Sequence, residues 1–584
     1  MEFMKKSDKT VLIESVYPEL DSGRYAVKRR LGETLEVYAD AFQDGHHLPV
    51  VELRYRNTRD KNWNKVPMTL LTDHRYKANF VLEKIGVYEY IVEAASEEGG
   101  HPGTKYDRIL QVVVDSPRAN FAAWYEMWPR SQGTVEGCSA TFADMKKRLK
   151  EISWMGFDVV YLTPIHPIGI TNHKGPNNSL VASEKDPGCP YSIGNHHGGH
   201  KAVDPALGTL DDFRDFVKTC NVMDIEVALD IVFTCSPDHP YIQQHPDWFF
   251  HNEDGTIKYA ENPPKKYEDV CTLNFYPKNY LAMWDEMTSI FMHWAEYGVK
   301  TFRVDNPHTK PLYFWKYCIK KVKDKYPEAI FLSEAFTHPK MMRFLAKTGF
   351  TQSYTYFTWR NTKWELTSYL KELTQTEMSE YFQGNFFANT PDILPEYLQR
   401  GGRNAFKIRS LLASTLSSVY GIYNGFELCE NAAIPGKEEY INSEKYQHKV
   451  WDWERKGHIK PFLRALNKIR KENLALQLYK NLEFVETNNN QVLAYTKITP
   501  DLTNIILVVV NLDPYHTQES SVIVPHERFG IGEQENYTVT DLLSGFTFIW
   551  KGHSNYVKLN PHIEPAHIFR INKWKHYEQD ILAV

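Results

Sequence analysis

Amphipathic segments alternate with short, buried apolar runs through the middle of this 584-residue chain. A helical period followed by a run typical of a buried strand, repeated several times, indicates a parallel α/β fold. The clearest pairs are 142–155 with 158–163, 210–219 with 226–233, 284–297 with 301–304, and 312–325 with 329–332. Their number and span favour a (β/α)8 barrel over an open sheet, and we place it at residues 118–472.

The segments on both sides of this region have the composition of β-domains. Short runs rich in Val, Tyr and Phe are separated by Gly, Asn and Asp, which is typical of a β-sandwich. We predict an immunoglobulin-like sandwich at 1–117 and a second sandwich at 473–584. Two Pro- and Gly-rich excursions, 165–200 and 235–275, follow predicted barrel strands, and loops of this length usually bind a ligand.

Charge and composition exclude several classes of protein. The chain has 68 basic and 73 acidic residues, for a net charge of −5, and no basic block that favours nucleic acid. It has no apolar run long enough to cross a membrane and no apolar segment near Met1 typical of a secretion signal. The seven scattered cysteines form no CxxC pair, so we expect reduced thiols and a cytoplasmic protein.

Acidic residues follow several of the predicted strands. Asp230, Asp305, Glu334 and Asp392 occupy such positions, and Arg303 precedes Asp305 by two residues. Active sites of (β/α)8 barrels lie at the carboxyl ends of the strands. Any one of these acids could instead cap a helix or form an ion pair, but capping does not explain the whole set.

These residue types suit the retaining transfer of a sugar. One carboxylate attacks the anomeric carbon, and a second carboxyl group with a raised pKa acts as general acid and base, about 5–5.5 Å from the first. Residues i and i+2 of a strand face the same way, so Arg303 can keep Asp305 ionised. A transfer by these carboxyl groups and Arg303 needs no metal or other cofactor.

The four segments LDIVF, FRVDNPH, FLSEAF and NTPD resemble the strand motifs of the α-amylase superfamily, glycoside hydrolase family 13. The resemblance implies that Asp305 is the nucleophile, Glu334 the general acid and base, and Asp392 the residue that stabilises the transition state. Arg303 would support Asp305.

A narrower resemblance covers nearly the whole chain. It rests on WYEMWPRS at 124–131, HKGPNN at 173–178, PYSIG at 190–194, GGH at 198–200, CSPDHP at 235–240, ENPPKKY at 261–267, DNPHTKP at 305–311 and SEKY at 443–446. These segments are similar to those of the α-1,4-glucan:maltose-1-phosphate maltosyltransferases. The resemblance implies a maltosyl transfer from α-maltose 1-phosphate to an α-1,4-glucan or maltooligosaccharide acceptor, through a covalent β-maltosyl-enzyme.

The same resemblance implies two groups of binding residues. Lys265, Tyr267, Asn262 and Asn306 would hold the phosphate, for which cations and neutral donors are suited. Lys174, Asn177, Lys445 and Tyr446 would hold the maltosyl sugars, and Tyr191 could stack on the sugar next to the scissile bond. Without the resemblance, Lys265 and Lys266 read as solvated loop lysines and Tyr191 as a core residue.

Two features depart from the family pattern. Thr234 stands where the family typically has Gln, so the side chain at a position that would contact the donor is shorter. Cys235 matches the residue typical of the family at its position. The helical insertion that the family uses in its dimer is missing from the N-terminal sandwich, where 93–108 connects two strands directly, and a homodimer is therefore left open.

Three other interpretations of the sequence are open. An α-1,4-glucan hydrolase or glucan-to-glucan transferase would use the same carboxylates, although NPPKKY argues against it. A non-catalytic glucan-binding scaffold would have lost a carboxylate. A metal on His196, His197 and His200 would need a further ligand that the spacing does not provide.

Overall fold

The computed structural model describes residues 11–45, 47–96, 103–262 and 265–573. Its N-terminal part consists of two sheets. The first has the strand order β1-β3-β7-β6, and the second has the order β2-β10-β8-β4-β5 with β9 beside β8. The strands are β1 (Val11–Tyr17), β2 (Val27–Arg30), β3 (Thr34–Gln43), β4 (Val50–Asn57), β5 (Asn64–Pro67), β6 (Thr69–Thr72), β7 (Arg75–Val81), β8 (Gly86–Ala95), β9 (Thr104–Lys105) and β10 (Leu110–Asp115).

The central part alternates strands and helices, as the sequence pattern predicts. Its elements are α1 (Pro117–Asn120), β11 (Ala122–Met127), α2 (Phe142–Met155), β12 (Val159–Leu162), α3 (Leu210–Val222), β13 (Glu226–Ile231), β14 (Thr234–Cys235), α4 (Pro240–Gln244), β15 (Tyr259–Asn262), β16 (Lys265–Thr272), α5 (Tyr280–Glu296), β17 (Thr301–Asp305), α6 (Leu312–Lys325), β18 (Ile330–Glu334), α7 (Pro339–Lys347), β19 (Gln352–Ser353), α8 (Lys363–Gln375), β20 (Asn385–Phe387), α9 (Glu396–Leu416), β21 (Val419–Tyr423) and α10 (Lys460–Glu472).

Eight parallel strands form the expected (β/α)8 barrel. Their order is β19-β18-β17-β13-β12-β11-β21-β20. The two end strands meet where the Ser353 amide donates to the Gln383 carbonyl at 3.0 Å, which nearly closes the cylinder. The strands are buried on both faces, as in β11 and β12, where every residue is buried.

Helix α2 shows why the pattern predicts the elements well. Thr141 and Asp144 form a capping box at its start, and Gly156 ends it with a φ of 86°, a left-handed conformation that glycine adopts without strain. Its buried face carries Phe142, Met145 and Leu149. Apolar residues at helical spacing, between two such end signals, fix both the bounds and the face that packs on the barrel.

The C-terminal part is again built from β-strands. One sheet has the order β22-β23-β24-β29-β26-β27, and β25 pairs with β28 in a second, small sheet. Apolar side chains of both sheets form one core cluster. The strands are β22 (Leu482–Val485), β23 (Val492–Ile498), β24 (Ile505–Asn511), β25 (Gln518–Ile523), β26 (Asn536–Asp541), β27 (Thr547–Lys551), β28 (Ser554–Leu559) and β29 (Ala566–Lys573).

The two long excursions differ from each other. Residues 165–200 hold a short 3₁₀ turn, Pro176–Asn178, and isolated β-bridges such as that between Ile168 and Ile193. Residues 235–275 are more ordered than a plain loop, because they contain α4 and most of a three-stranded sheet of order β14-β16-β15. Both follow the carboxyl ends of barrel strands, β12 and β13, and so lie at the end of the barrel where a site is expected. In the described part of the chain, no helix has the length and apolar character needed to cross a bilayer.

Candidate active site

Strand register brings four charged residues of the predicted site together. Asp230 on β13 is paired with Arg303 on β17, and Asp305 on β17 is paired with Glu334 on β18. Arg303 and Asp305 are two residues apart on one strand and therefore face the same way. The carboxyl ends of three adjacent strands thus supply three acids and one cation.

Arg303 is the centre of this cluster. Its Nη1 donates to Asp230 Oδ1 at 3.0 Å and to Asp305 Oδ1 at 2.8 Å, and its Nη2 lies 3.5 Å from Glu334 Oε2. Asp230 also accepts hydrogen bonds from the hydroxyls of Tyr161 and Tyr191, at 2.6 and 3.0 Å. One guanidinium therefore orients all three carboxyl groups.

One cation cannot keep several buried carboxylates charged. Burial, which outweighs the attraction of Arg303, raises the pKa of Glu334 to about 8, and the negative charge of Asp305 adds to the rise. Burial raises the pKa of Asp230 to about 6 for the same reason. Glu334 is therefore protonated at neutral pH and can give up a proton, as a general acid must.

Asn306 turns the chain directly after β17. Its φ of 42° and ψ of 51° lie in the left-handed region, which Asn tolerates better than most residues. In this conformation its backbone N–H donates to Glu334 Oε2 at 3.1 Å, and its side-chain Nδ2 donates to Asp305 Oδ2 at 3.0 Å. Asp305 thus accepts a hydrogen bond on each oxygen, which fixes the orientation of its carboxylate.

A cavity of about 370 Å³ opens beside Asp305. Most of the residues predicted to bind substrate lie in its wall, together with Asp392, the predicted stabiliser of the transition state. They are Lys174, Asn177, Tyr191, Thr234, Tyr267, Asn306, Asp392, Lys445 and Tyr446. Residues from both long excursions, from the turn after β17 and from 391–446 therefore surround one space.

Asp392 lies on the wall of the cavity and is about half exposed. It accepts a hydrogen bond from Lys445 Nζ at 2.7 Å. The same ammonium lies 5.1 Å from the centre of the Tyr191 ring, within the range of a cation–π contact. Lys445 thus joins the predicted stabiliser of the transition state to the predicted stacking residue.

Lys174 and Asn177 tie the first excursion to its neighbours. Lys174 is 2% exposed and forms an ion pair with Glu268 on β16. Asn177 exchanges two hydrogen bonds with Asn442, accepting from its backbone N–H at 2.7 Å and donating to its side chain at 3.3 Å. These contacts hold the polar wall of the cavity in place.

Thr234, which departs from the family pattern, and Cys235, which fits it, form the short strand β14 of the small sheet. Thr234 lines the cavity, and its hydroxyl donates to the Tyr191 carbonyl at 2.8 Å. Cys235 is buried and pairs in register with Cys271 on β16. Burial holds the pKa of the Cys235 thiol well above its ordinary value, so it is a neutral core residue.

The predicted phosphate segment forms the hairpin of β15 and β16, in which Asn262 is paired with Lys265. Tyr267 on β16 lines the cavity. Pro263 and Pro264, and the side chains of Asn262 and Lys265, lie outside the part of the chain that the structure describes. Lys266 is 59% exposed and lies 3.6 Å from Glu261, as expected of a solvated lysine.

Of the histidines of HHGGH, His196 and His197 have ring centres 3.8 Å apart, but His200 does not join them. His200 packs instead beside His239 and Cys235, with possible ligand atoms within 4.8 Å of one another. His200 Nε2 donates to the Val232 carbonyl, His239 Nε2 donates to His200 Nδ1, and His239 Nδ1 accepts from the Tyr241 N–H. Burial lowers the pKa of both rings to about 3. This is a neutral hydrogen-bonded chain whose ring nitrogens are already used.

Sequence reasoning missed some residues at the centre of the site. Glu126 on β11 is buried, and burial raises its pKa well above the ordinary value, beside Arg303 and Asp230. Tyr161 bonds to Asp230, and Lys310 lines the cavity. Glu126 and Tyr161 lie within strands rather than after them, and only three-dimensional packing shows that they face the cluster.

Comparison with protein families gives two matches. Residues 9–100 match the family described as "Alpha-1,4-glucan:maltose-1-phosphate maltosyltransferase, domain N/S". Residues 484–571 match the family described as "GLGE, C-terminal".

Curated proteins similar to this chain include two with matches along nearly the whole length. The α-1,4-glucan:maltose-1-phosphate maltosyltransferase of Myxococcus xanthus is 44% identical, over 97% of this chain and 98% of the relative. The protein of the same name from Rhodospirillum rubrum is 45% identical, over 96% and 95%. The first alignment runs over 653 positions, more than the length of this chain, so the relative carries segments that this chain lacks.

Solved structures show the same fold at low sequence identity. A maltogenic α-amylase from Thermotoga neapolitana superposes with a TM-score of 0.61 at 21% identity, over 79% of this chain and all of that chain. A cyclomaltodextrinase superposes with a TM-score of 0.60 at 17% identity, over 95% and 99%. The fold of this chain is thus shared with these two enzymes.

Proposed function

Since this chain belongs to the α-1,4-glucan:maltose-1-phosphate maltosyltransferase family, we propose that it transfers a maltosyl unit from α-maltose 1-phosphate to the 4-hydroxyl at the non-reducing end of an α-1,4-glucan. Inorganic phosphate is the second product. The chain is a retaining glycosyltransferase in this proposal, and every step uses side chains of one cluster.

The observation that carries the mechanism is that Arg303 contacts both Asp305 and Glu334. Asp305, with a donor on each oxygen, attacks the anomeric carbon of the donor sugar. Glu334, protonated at neutral pH, gives its proton to the departing phosphate oxygen. The carbon–oxygen bond to phosphate breaks as the ester bond to Asp305 forms, which leaves a β-maltosyl-enzyme.

The second step reverses these roles. Glu334, now ionised, takes the proton of the acceptor's 4-hydroxyl, and that oxygen displaces Asp305 from the anomeric carbon. Two inversions give overall retention. Asp392, held by Lys445, stabilises the positive charge that develops on the sugar in both steps.

The cavity wall supports a division of binding roles. Lys174, Asn177, Tyr191, Lys445 and Tyr446 hold the two glucose units of the maltosyl group, and Thr234 contributes a shorter contact than the Gln typical of the family. Asn262, Lys265, Tyr267 and Asn306 serve the phosphate. We propose the cytoplasm as the location, which the seven unpaired thiols support. The oligomeric state, including a homodimer, is left open.

Acceptor-dependent release of phosphate tests this function. The purified protein is incubated with α-maltose 1-phosphate, with and without maltohexaose, and α-glucose 1-phosphate serves as the control donor. We expect rapid phosphate release from the maltosyl donor only when the acceptor is present. Equal release without an acceptor would indicate a hydrolase.

A further inference from the structure

Lys310 lies in the wall of the active-site cavity and has no role in the mechanism so far. It comes five residues after Asp305, beyond the 3₁₀ turn Pro307–Thr309 and just before α6. Its Nζ donates to the neighbouring Thr309 hydroxyl at 2.8 Å. An ammonium has three donors, so two are left for a ligand.

The other described cations around this cavity are balanced by carboxylates. Lys174 pairs with Glu268, Lys445 with Asp392, and Arg303 with Asp230 and Asp305. Among the residues that the structure describes, Lys310 has no carboxylate within ion-pair distance. The cavity therefore has an uncompensated cation on the side of the turn after β17.

The position of Lys310 in the cavity wall makes this imbalance significant. Removal from water lowers the pKa of Lys310, and the negative charges of Asp305 and Glu334 oppose that change without contacting the ammonium directly. Lys310 is partly exposed in the cavity wall, so its free donors are open to an anionic ligand that enters the cavity. Asp305 and Asn306 line the same cavity and precede Lys310 by five and four residues, so Lys310 lies toward the reacting end of the cavity.

We propose that Lys310 binds the phosphate group of the donor, next to the scissile bond, and so makes the site selective for a phosphorylated sugar. This inference rests on the proposed function and adds a residue to the phosphate site that the sequence motif assigns to Asn262, Lys265, Tyr267 and Asn306. The leaving phosphate carries negative charge that grows as the bond breaks. A cation with two free donors stabilises that charge in the transition state as well as in the bound donor.

If Lys310 contacted only the sugar of the donor, the expected result would be different. A lysine that binds only sugar hydroxyls supports every maltosyl donor equally, whatever the leaving group. A lysine that binds phosphate supports only phosphorylated donors. α-Maltosyl fluoride carries the same sugar with a small leaving group and therefore separates the two roles.

The experiment compares Lys310→Gln and Lys310→Arg with the unaltered full chain. Lys320→Gln is the control for loss of one positive charge, since Lys320 is 72% exposed on α6 and pairs with Asp324 at the surface. For each protein we measure kcat and KM with α-maltose 1-phosphate and with α-maltosyl fluoride, and the inhibition of the fluoride reaction by inorganic phosphate. Thermal unfolding shows whether each variant is folded.

We expect Lys310→Gln to lower kcat/KM for α-maltose 1-phosphate about tenfold or more, and to weaken inhibition by phosphate in parallel, while turnover of α-maltosyl fluoride changes little. Lys310→Arg keeps the charge and should recover much of the kcat/KM for α-maltose 1-phosphate and much of the inhibition by phosphate. Equal losses with the two donors, or unchanged inhibition by phosphate in a folded Lys310→Gln variant, would overturn the assignment of Lys310. If the unaltered protein releases no phosphate from α-maltose 1-phosphate, the proposed function fails and the role of Lys310 fails with it.

Discussion

Asp305 and Glu334 are paired in register on neighbouring parallel strands, and both lie within reach of the Arg303 guanidinium. Their surroundings nevertheless differ. Asp305 accepts from Arg303 and from the Asn306 side chain, whereas Glu334 accepts from one backbone N–H and lies 3.5 Å from the guanidinium. Two carboxyl groups placed side by side thus differ in their hydrogen-bond partners, as the two proposed roles of nucleophile and general acid require.

Loss of the nucleophile should abolish transfer. We expect Asp305→Ala and the isosteric Asp305→Asn to lower kcat with α-maltose 1-phosphate by roughly 10⁴-fold. In Glu334→Gln the ester on Asp305 should accumulate when α-maltosyl fluoride is the donor, because no base activates the acceptor. Intact-protein mass spectrometry should then detect one added maltosyl unit. Near-normal turnover by Asp305→Asn would remove this residue from the mechanism.

The pH dependence of the first step should follow Glu334. Its raised pKa of about 8 means that the acid form is present at neutral pH and is lost as the pH rises through that value. We expect kcat/KM for α-maltose 1-phosphate to fall above about pH 8. A basic limb that is unchanged in Glu334→Gln would show that another group controls it.

The same pKa shift predicts a cost in stability. Between the ordinary glutamate pKa of 4.5 and the folded value of about 8, the folded protein holds a proton that the unfolded chain has lost, so stability falls as the pH rises across this window. Glu334→Gln cannot ionise. The melting temperature of this variant minus that of the unaltered protein should therefore be larger at pH 8 than at pH 5. An equal difference in melting temperature at both pH values would contradict this explanation.

The hairpin lysine should discriminate between donors. We expect Lys265→Ala to raise KM for α-maltose 1-phosphate about 10- to 100-fold, the range for a lost charge-assisted hydrogen bond, and to leave binding of an unphosphorylated glucan nearly unchanged. Lys266→Ala is the matched control, since Lys266 is exposed and pairs with Glu261. Equal weakening of both ligands by Lys265→Ala would separate this residue from phosphate.

Thr234 offers a test of the family difference at the donor site. Its short side chain bonds to the Tyr191 carbonyl and lines the cavity. A glutamine there reaches further, and we expect Thr234→Gln to lower KM for α-maltose 1-phosphate about threefold to tenfold, the value of one neutral hydrogen bond. Thr234→Val keeps the volume and removes only the hydroxyl, and serves as the control. A higher KM in Thr234→Gln would contradict this expectation, because it would mean that the surroundings of position 234 accommodate threonine better than glutamine.

The sequence predicts those parts of the fold that local signals define. Helices α2 and α6 have the predicted bounds, 142–155 and 312–325, because apolar periodicity determines their buried faces. The strand-end acids were found for a related reason, since a carboxylate after a buried strand is conspicuous in any α/β pattern. The β-hairpin inside 235–275 was not predicted, because its two strands are short and form only through pairing with each other and with β14.

The charge balance of the site is the part that sequence cannot supply. Lys174, Lys310 and Lys445 look alike in the chain, but the first and third have carboxylate partners from distant segments and Lys310 has none in the described part of the protein. The chain of His200 and His239 likewise joins two loops 39 residues apart. Such pairings depend on how the loops pack above the barrel, which no local pattern encodes.

The most direct test of the account is the length distribution of the glucan products. The purified protein is incubated with α-maltose 1-phosphate and maltohexaose, and the products are resolved by mass spectrometry while phosphate is measured. We predict chains that grow in steps of two glucose units, with one phosphate released for each step. Shortened chains, or redistribution in steps of one without phosphate release, would contradict maltosyl transfer from a phosphorylated donor.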